Sequence, residues 1–70
     1  MSGIELISFD LKNADLSGAN LIGANLSRVD LTEANLANAN LTDVNLVSAI
    51  LSGATLTNTN LTGVKLSYSN

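Results

Sequence analysis

The 70-residue sequence contains no cysteine, proline, histidine or tryptophan, and only one tyrosine and one phenylalanine. Without cysteine there can be neither a disulfide nor a thiolate site, and without histidine the commonest general base and metal ligand is missing. Basic residues are also few, with three Lys and Arg against six Asp and Glu. This shortage of basic and aromatic side chains argues against direct nucleic-acid binding.

Long apolar stretches are absent as well. The opening segment, MSGIELISFD, lacks the basic start and the long apolar run of a secretory signal. No apolar run approaches the roughly 18 residues that a membrane-spanning helix requires. We therefore expect a single domain over residues 1–70 that is cytoplasmic and makes no membrane contact.

The dominant feature of the chain is a five-residue repeat, seen clearly in SGANLIGANLSRVDL at residues 17–31. Leucine occupies every fifth position from Leu6 to Leu66 without exception. A small or apolar residue usually stands two positions before each leucine, and Asp or Asn usually stands immediately before it. Gly or Asn is frequent two positions after the leucine.

A period of five suits neither a straight helix nor a straight strand. On an α-helix, a five-residue step rotates by about 140°, which would scatter the leucines around the axis. On a strand, an odd period sends successive leucines to opposite faces. All leucines can point inward only if the chain turns a corner in every pentapeptide, and the Gly/Asn position fits the third residue of a type II turn, where φ is positive. The sequence therefore predicts a coil.

The cores ANL, ADL and ATL at this spacing resemble the pentapeptide-repeat family, whose pattern is A-(D/N)-L-x-x; the likeness runs from about residue 4 to residue 69. The resemblance implies an all-β fold, a right-handed quadrilateral β-helix with about 3.5 coils of 20 residues for a chain of 70 residues. Residues twenty apart would then be vertical neighbours. We expect Asn20, Asn40 and Asn60 to stack, with side-chain amide ladders like those of other stacked β-structures.

No catalytic residue, cofactor site or metal site is predicted. GANLIGAN at 18–25 has the glycine spacing of a phosphate-binding loop, but Ala24 and Asn25 stand where that loop has Lys and Ser/Thr. Thr-x-Thr spacing occurs only in the short segment 55–59, at Thr55, Thr57 and Thr59, so the regular threonine array of ice-binding β-helices is absent. We interpret the chain as a non-enzymatic structural or protein-interaction solenoid whose specific protein partner the sequence does not name.

The family resemblance raises one alternative function. Some members resemble B-form DNA in shape and charge, bind DNA gyrase and protect it from quinolones. In this chain the candidate acidic column consists of Asp10 and Asp30 alone, and Ile50 continues it. Because mimicry needs rows of carboxylates at roughly phosphate spacing along a long rod, the sequence disfavours this function.

The two ends of the coil and one outer patch are the remaining candidate sites. Ile4 and Phe9 stand where later pentapeptides have Ala or Val, and we expect them to plug the N-terminal opening and to oppose head-to-tail growth. No capping segment follows the last coil, so we expect a two-fold homodimer through that coil. Its candidate contacts are Leu61, Leu66 and Tyr68. Val47 and Ile50 form a candidate outer patch.

Overall fold

The computed structural model of the protein describes residues 3–67 and 69. The chain winds into a coil whose successive turns are joined by parallel β-bridges between residues twenty apart, such as Asn20 with Asn40 and Asn40 with Asn60. Each bridge is a single residue pair rather than part of a longer strand, because a corner interrupts the backbone in every pentapeptide. Among residues 3–67 and 69 the bridges run from Glu5↔Asn25 to Asn45↔Lys65, and all nine have this register.

The corners lie where the sequence predicts them. In the pentapeptide of Leu36, the Ala39 amide donates to the Leu36 carbonyl at 3.0 Å, and Asn38 between them has a φ of 63°. A positive φ at the third residue is the signature of a type II turn. The same φ recurs at every fifth residue, and with a register of twenty this gives four corners per coil. These positions are Gly3, Ser8, Asn13, Gly18, Gly23, Arg28, Glu33, Asn38, Asp43, Ser48, Gly53, Asn58 and Gly63.

Backbone hydrogen bonds between coils run along the coil axis. The Leu26 amide donates to the Asn45 carbonyl at 2.8 Å, and the Arg28 amide donates to the Val47 carbonyl at 2.9 Å. In the opposite direction, the Asn45 amide donates to the Ala24 carbonyl at 2.9 Å. These three bonds per pentapeptide satisfy the backbone groups that face a neighbouring coil, as buried polar groups require.

The core is built from the leucines and from the residues two positions before them. Its twelve buried members are all apolar and are at most 1% exposed, which confirms that both positions point inward. They lie in the middle of the chain: Leu21, Ala24, Leu26, Val29, Leu31, Ala34, Leu36, Ala39, Leu41, Val44, Leu46 and Ala49. Leucines nearer either end are only partly buried or exposed, because among the described residues a neighbouring coil covers them on one side only.

The Asn column stacks as expected, but its side chains make different bonds. The Asn40 Oδ1 accepts the Thr42 amide at 3.1 Å and the Thr42 hydroxyl at 2.6 Å, within the same coil. Asn20 and Asn60 likewise accept the amide two residues ahead. No side-chain amide ladder joins these residues in the described part of the chain, so that expectation is wrong. The oxygen caps its own turn because the Asx geometry brings that amide within reach.

Two inward positions of the last coil carry hydroxyl groups. Thr59 and Ser69 occupy the position that is Ala or Val in the middle coils, and both are half-buried. Each hydroxyl donates at 2.7 Å to a leucine carbonyl in the coil below, Thr59 to Leu36 and Ser69 to Leu46. A polar atom can therefore occupy the inward column without losing its hydrogen bond.

Candidate functional site

The C-terminal end of the coil exposes leucines that are buried in the middle. Leu56, Leu61 and Leu66 are 36%, 39% and 46% exposed. Because they continue the inward leucine columns, their apolar side chains face the open end. We call this surface the C-terminal face and define it by residues 54–67. Tyr68, the third candidate contact predicted from the sequence, lies outside the described residues.

The N-terminal end is covered differently. Leu6 and Leu11 are half-buried and pack against the core, and Ile4 packs against it as well. Phe9, the second residue of the predicted plug, is 53% exposed, so more than half of its surface lies outside the core. We define the N-terminal face by residues 3–20. The structure thus brings Ile4 to the opening but leaves the Phe9 ring largely uncovered.

The backbone edges of the two faces carry opposite excesses of donors and acceptors. On the C-terminal face each pentapeptide presents two amides and one carbonyl without a backbone partner in the described chain. In one of them these groups are the amides of Leu61 and Gly63 and the carbonyl of Thr59. On the N-terminal face each pentapeptide presents two carbonyls and one amide, for example the carbonyls of Asp10 and Lys12 and the amide of Asp10. The C-terminal face is therefore rich in donors and the N-terminal face is rich in acceptors.

The two residues of the candidate acidic column lie one above the other, and their carboxylates are close to a lysine. Asp10 and Asp30 are bridged in parallel, and Ile50 follows above them. The Lys12 Nζ lies 3.8 Å from an Asp10 carboxylate oxygen and 3.9 Å from an Asp30 oxygen. Sequence spacing did not indicate this neutralisation, because Lys12 belongs to a different column and reaches the pair through its long side chain.

Two carboxylates are held ionised by their turns. The Thr32 hydroxyl donates to Asp30 at 2.6 Å and the Thr32 amide donates at 3.0 Å; together with Lys12 nearby, these bonds hold the pKa of Asp30 below its ordinary value. The Ser17 hydroxyl and amide lower the pKa of Asp15 in the same way. Both carboxylates therefore serve the fold as turn caps, with no proton to donate at neutral pH.

The outer patch is divided by a corner. Val47 is half-buried and Ile50 is 37% exposed. Ser48, which has the positive φ of a corner, lies between them, so their side chains belong to two adjacent sides of the coil. The structure therefore supports only a small apolar area at this place.

The described residues offer no ligand site of the usual kinds. They enclose no pocket, and they contain no cluster of three or more acidic, Cys or His side chains that could hold a metal ion. No helix in the described part of the chain has the length and apolar character needed to cross a membrane. The two end faces remain the most distinctive surfaces.

A quadrilateral coil with leucine at every fifth position matches one known family. The family described as Pentapeptide repeats (8 copies) matches residues 10–47 and 39–70. This chain belongs to the pentapeptide-repeat family. Sequence and structure agree here, because the matched repeats are the same pentapeptides that form the sides of the coil.

Solved structures of family members are similar to the chain. Rfr23, a pentapeptide repeat protein from the cyanobacterium Cyanothece 51142, aligns with a TM-score of 0.91 and 42% identity over 93% of this chain. HetL, a pentapeptide repeat protein involved in heterocyst differentiation regulation from the cyanobacterium Nostoc sp. strain PCC 7120, aligns with a TM-score of 0.59 and 33% identity over 99% of this chain. Members of this family form right-handed quadrilateral β-helices.

The matched structures are much longer than this chain, which covers 45% of the Rfr23 chain and 37% of the HetL chain. The comparison with curated proteins gives no match. The likeness to Rfr23 shows that the geometry of these coils also occurs within a protein of about twice the length.

Proposed function

We propose that this pentapeptide-repeat chain is a non-catalytic interaction module that self-associates through its C-terminal face. The observation that carries the proposal is the exposure of Leu56, Leu61 and Leu66, whose counterparts in the coil below are fully buried. Exposed apolar groups that continue a core gain free energy when another surface covers them, at about 25 cal/mol per Å². The right-handed coil of the family supplies rigid, repetitive sides that hold this face in place.

The test compares the mass of the protein in solution with that of two variants. Size-exclusion chromatography with light scattering, over a wide concentration range, should show association of the unaltered chain. Leu66→Lys should weaken it, because the contact would bury a charge and lose apolar area. Ile22→Lys places the same charge at an exposed isoleucine on a side of the coil and serves as the matched control. A monomer at every concentration would refute the proposal.

A further inference from the structure

From the polarity of the two faces we infer that the self-association is head to tail, with the acceptor-rich N-terminal face of one copy stacked on the donor-rich C-terminal face of another. This inference rests on the proposed function and specifies the partner surface, which is the N-terminal face of a second copy. It differs from the two-fold dimer expected from the sequence, in which two C-terminal faces meet.

Hydrogen-bond accounting separates the two arrangements. Two C-terminal faces together would present four amides and two carbonyls per pair of pentapeptides, so at least two amides would stay unpaired. Stacking the C-terminal face on an N-terminal face matches two amides to two carbonyls and one carbonyl to one amide. Each unpaired buried polar group costs about 1–3 kcal/mol. The head-to-tail arrangement is therefore favoured, because it leaves fewer backbone amides unpaired.

The repeat fixes which residues would meet. A coil rises as it turns, so each end is a ramp, and two ramps fit when the first pentapeptide of one copy follows the last pentapeptide of the other. Within the chain, the Leu6 amide donates to the Asn25 carbonyl, nineteen residues later. In the stacked position the same pattern of bonds continues from one copy to the next. The amides of Leu56 and Leu61 would donate to the carbonyls of Glu5 and Asp10 of the second copy.

Side-chain volumes also fit across the junction. In the same register, Leu6, Leu11 and Leu16 of the second copy cover Leu56, Leu61 and Leu66, which extends the leucine columns. Its bulky Ile4 and Phe9 lie over the smaller Ala54 and Thr59. The half-exposed Phe9 ring therefore gains a place above a smaller residue. The two residues expected to block head-to-tail growth instead contribute apolar area to it.

Charge favours the same arrangement. Lys65 is the only charged residue in positions 51–70, whereas the first twenty residues carry Glu5, Asp10 and Asp15 against Lys12. The continued register places Asp15 of the second copy directly above Lys65. An attractive pair then lies at each junction, and none of this attraction arises when two C-terminal faces meet.

A head-to-tail contact is heterologous and does not close, so the expected product is a stack that lengthens with concentration. Each copy would add about 17 Å, from 3.5 coils at about 4.8 Å each. Light scattering should show a mean mass that rises continuously with concentration, and electron microscopy should show rods of one width and variable length. A discrete dimer that stays unchanged over the same range would overturn the inference.

Charge reversal supplies the sharper test. Lys65→Glu should raise the concentration needed for association about tenfold at low salt, and Asp15→Lys should do the same, although Asp15 is remote from the C-terminal face. The double variant should restore association towards that of the unaltered chain. Arg28→Glu makes the same charge change at a middle coil and is the control for net charge. It also removes the bond from the Arg28 Nε to the Ser8 hydroxyl, and its effect should be clearly smaller.

The outcomes distinguish the two proposals. If Leu66→Lys weakens association but Asp15→Lys does not, the C-terminal face is used and the head-to-tail arrangement is wrong. Asp15→Asn guards against misfolding as an explanation, because asparagine makes the same turn bond at position 35. It should associate more weakly than the unaltered chain while retaining its circular dichroism spectrum; undiminished association would count against the Lys65–Asp15 contact.

Discussion

Leu36 and Leu56 occupy the same inward column one coil apart, and Leu36 is fully buried whereas Leu56 is 36% exposed. The backbone ties the two positions together, since the Leu36 amide donates to the Thr55 carbonyl at 2.9 Å. One residue type in one local conformation thus has two environments, which depend only on whether another coil lies above. This pair makes it possible to separate the role of burial from that of the repeat.

Leu36→Asp should abolish the fold. The loss of a buried leucine alone costs about 2–5 kcal/mol, and an unpaired buried carboxylate adds a further penalty. Leu56→Asp is the matched control and should be tolerated better, because its carboxylate can reach water at the open end. Far-UV circular dichroism with thermal unfolding measures both. A cooperatively folded Leu36→Asp protein would contradict the inward assignment of the leucines.

Gly23→Ala should destabilise the chain by about 1–2 kcal/mol, the usual cost of a left-handed backbone for a residue with a Cβ. Gly23 has a φ of 69°, and a Cβ there would meet no neighbouring atom, so the effect isolates backbone strain. Gly23→Asn should cost less, since asparagine already holds this conformation at Asn38 and Asn58. Denaturant unfolding measures the difference, and equal stabilities for both variants would argue against the corner geometry.

Acid should weaken the protein partly through Asp30. Its pKa is lowered in the folded state, so its contribution to stability is present above the unfolded value of about 3.9 and is lost as pH falls through the lower folded value. Asp30→Asn should remove this part of the pH dependence while keeping the turn, as Asn40 makes the same two bonds to Thr42. Thermal midpoints at pH 7 and pH 3 test this.

The control for the acid experiment is Asp43→Asn. The Asp43 side chain makes no hydrogen bond within the described residues, and the variant changes the net charge by the same amount. An acid response of Asp30→Asn equal to that of the unaltered protein would show that the Thr32 bonds are not the cause.

The chain should neither inhibit purified DNA gyrase nor shield it from quinolones at micromolar concentration. Its stacked carboxylates number two, and Lys12 lies within 4 Å of both. A supercoiling assay measures both effects. Clear protection that disappears in the double variant Asp10→Asn with Asp30→Asn would instead establish mimicry of DNA.

Much of the fold followed from the sequence because each position of the pentapeptide has one dominant physical requirement. Leucine every fifth residue demanded a corner in each unit, and positive φ values at Asn38 and Gly53 confirm where it lies. The number of pentapeptides per coil did not follow from the residues alone, because it depends on how the corners add up around the axis. That number came from the family resemblance.

The candidate site was less accessible to sequence reasoning. The exposure of Leu61 and Leu66 could be foreseen because residues 1–70 place no coil above them, but the donor excess of their face could not. That excess arises from backbone groups, which every residue type carries alike. Long side chains posed a second difficulty. Lys12 lies close to the carboxylates of Asp10 and Asp30 in a neighbouring column, and this contact is not visible when each column of the repeat is considered separately.

The register of twenty, seen in the bridges from Glu5↔Asn25 to Asn45↔Lys65, constrains how such a gene can change length. Loss or gain of one codon would turn every later leucine away from the axis. An insertion of five codons between positions 20 and 40 would keep the leucines inward but rotate all later sides by a quarter turn about the coil axis. Asn40 would then no longer lie above Asn20. Within the coil, only insertions of whole twenty-codon units that follow the repeat preserve both relationships.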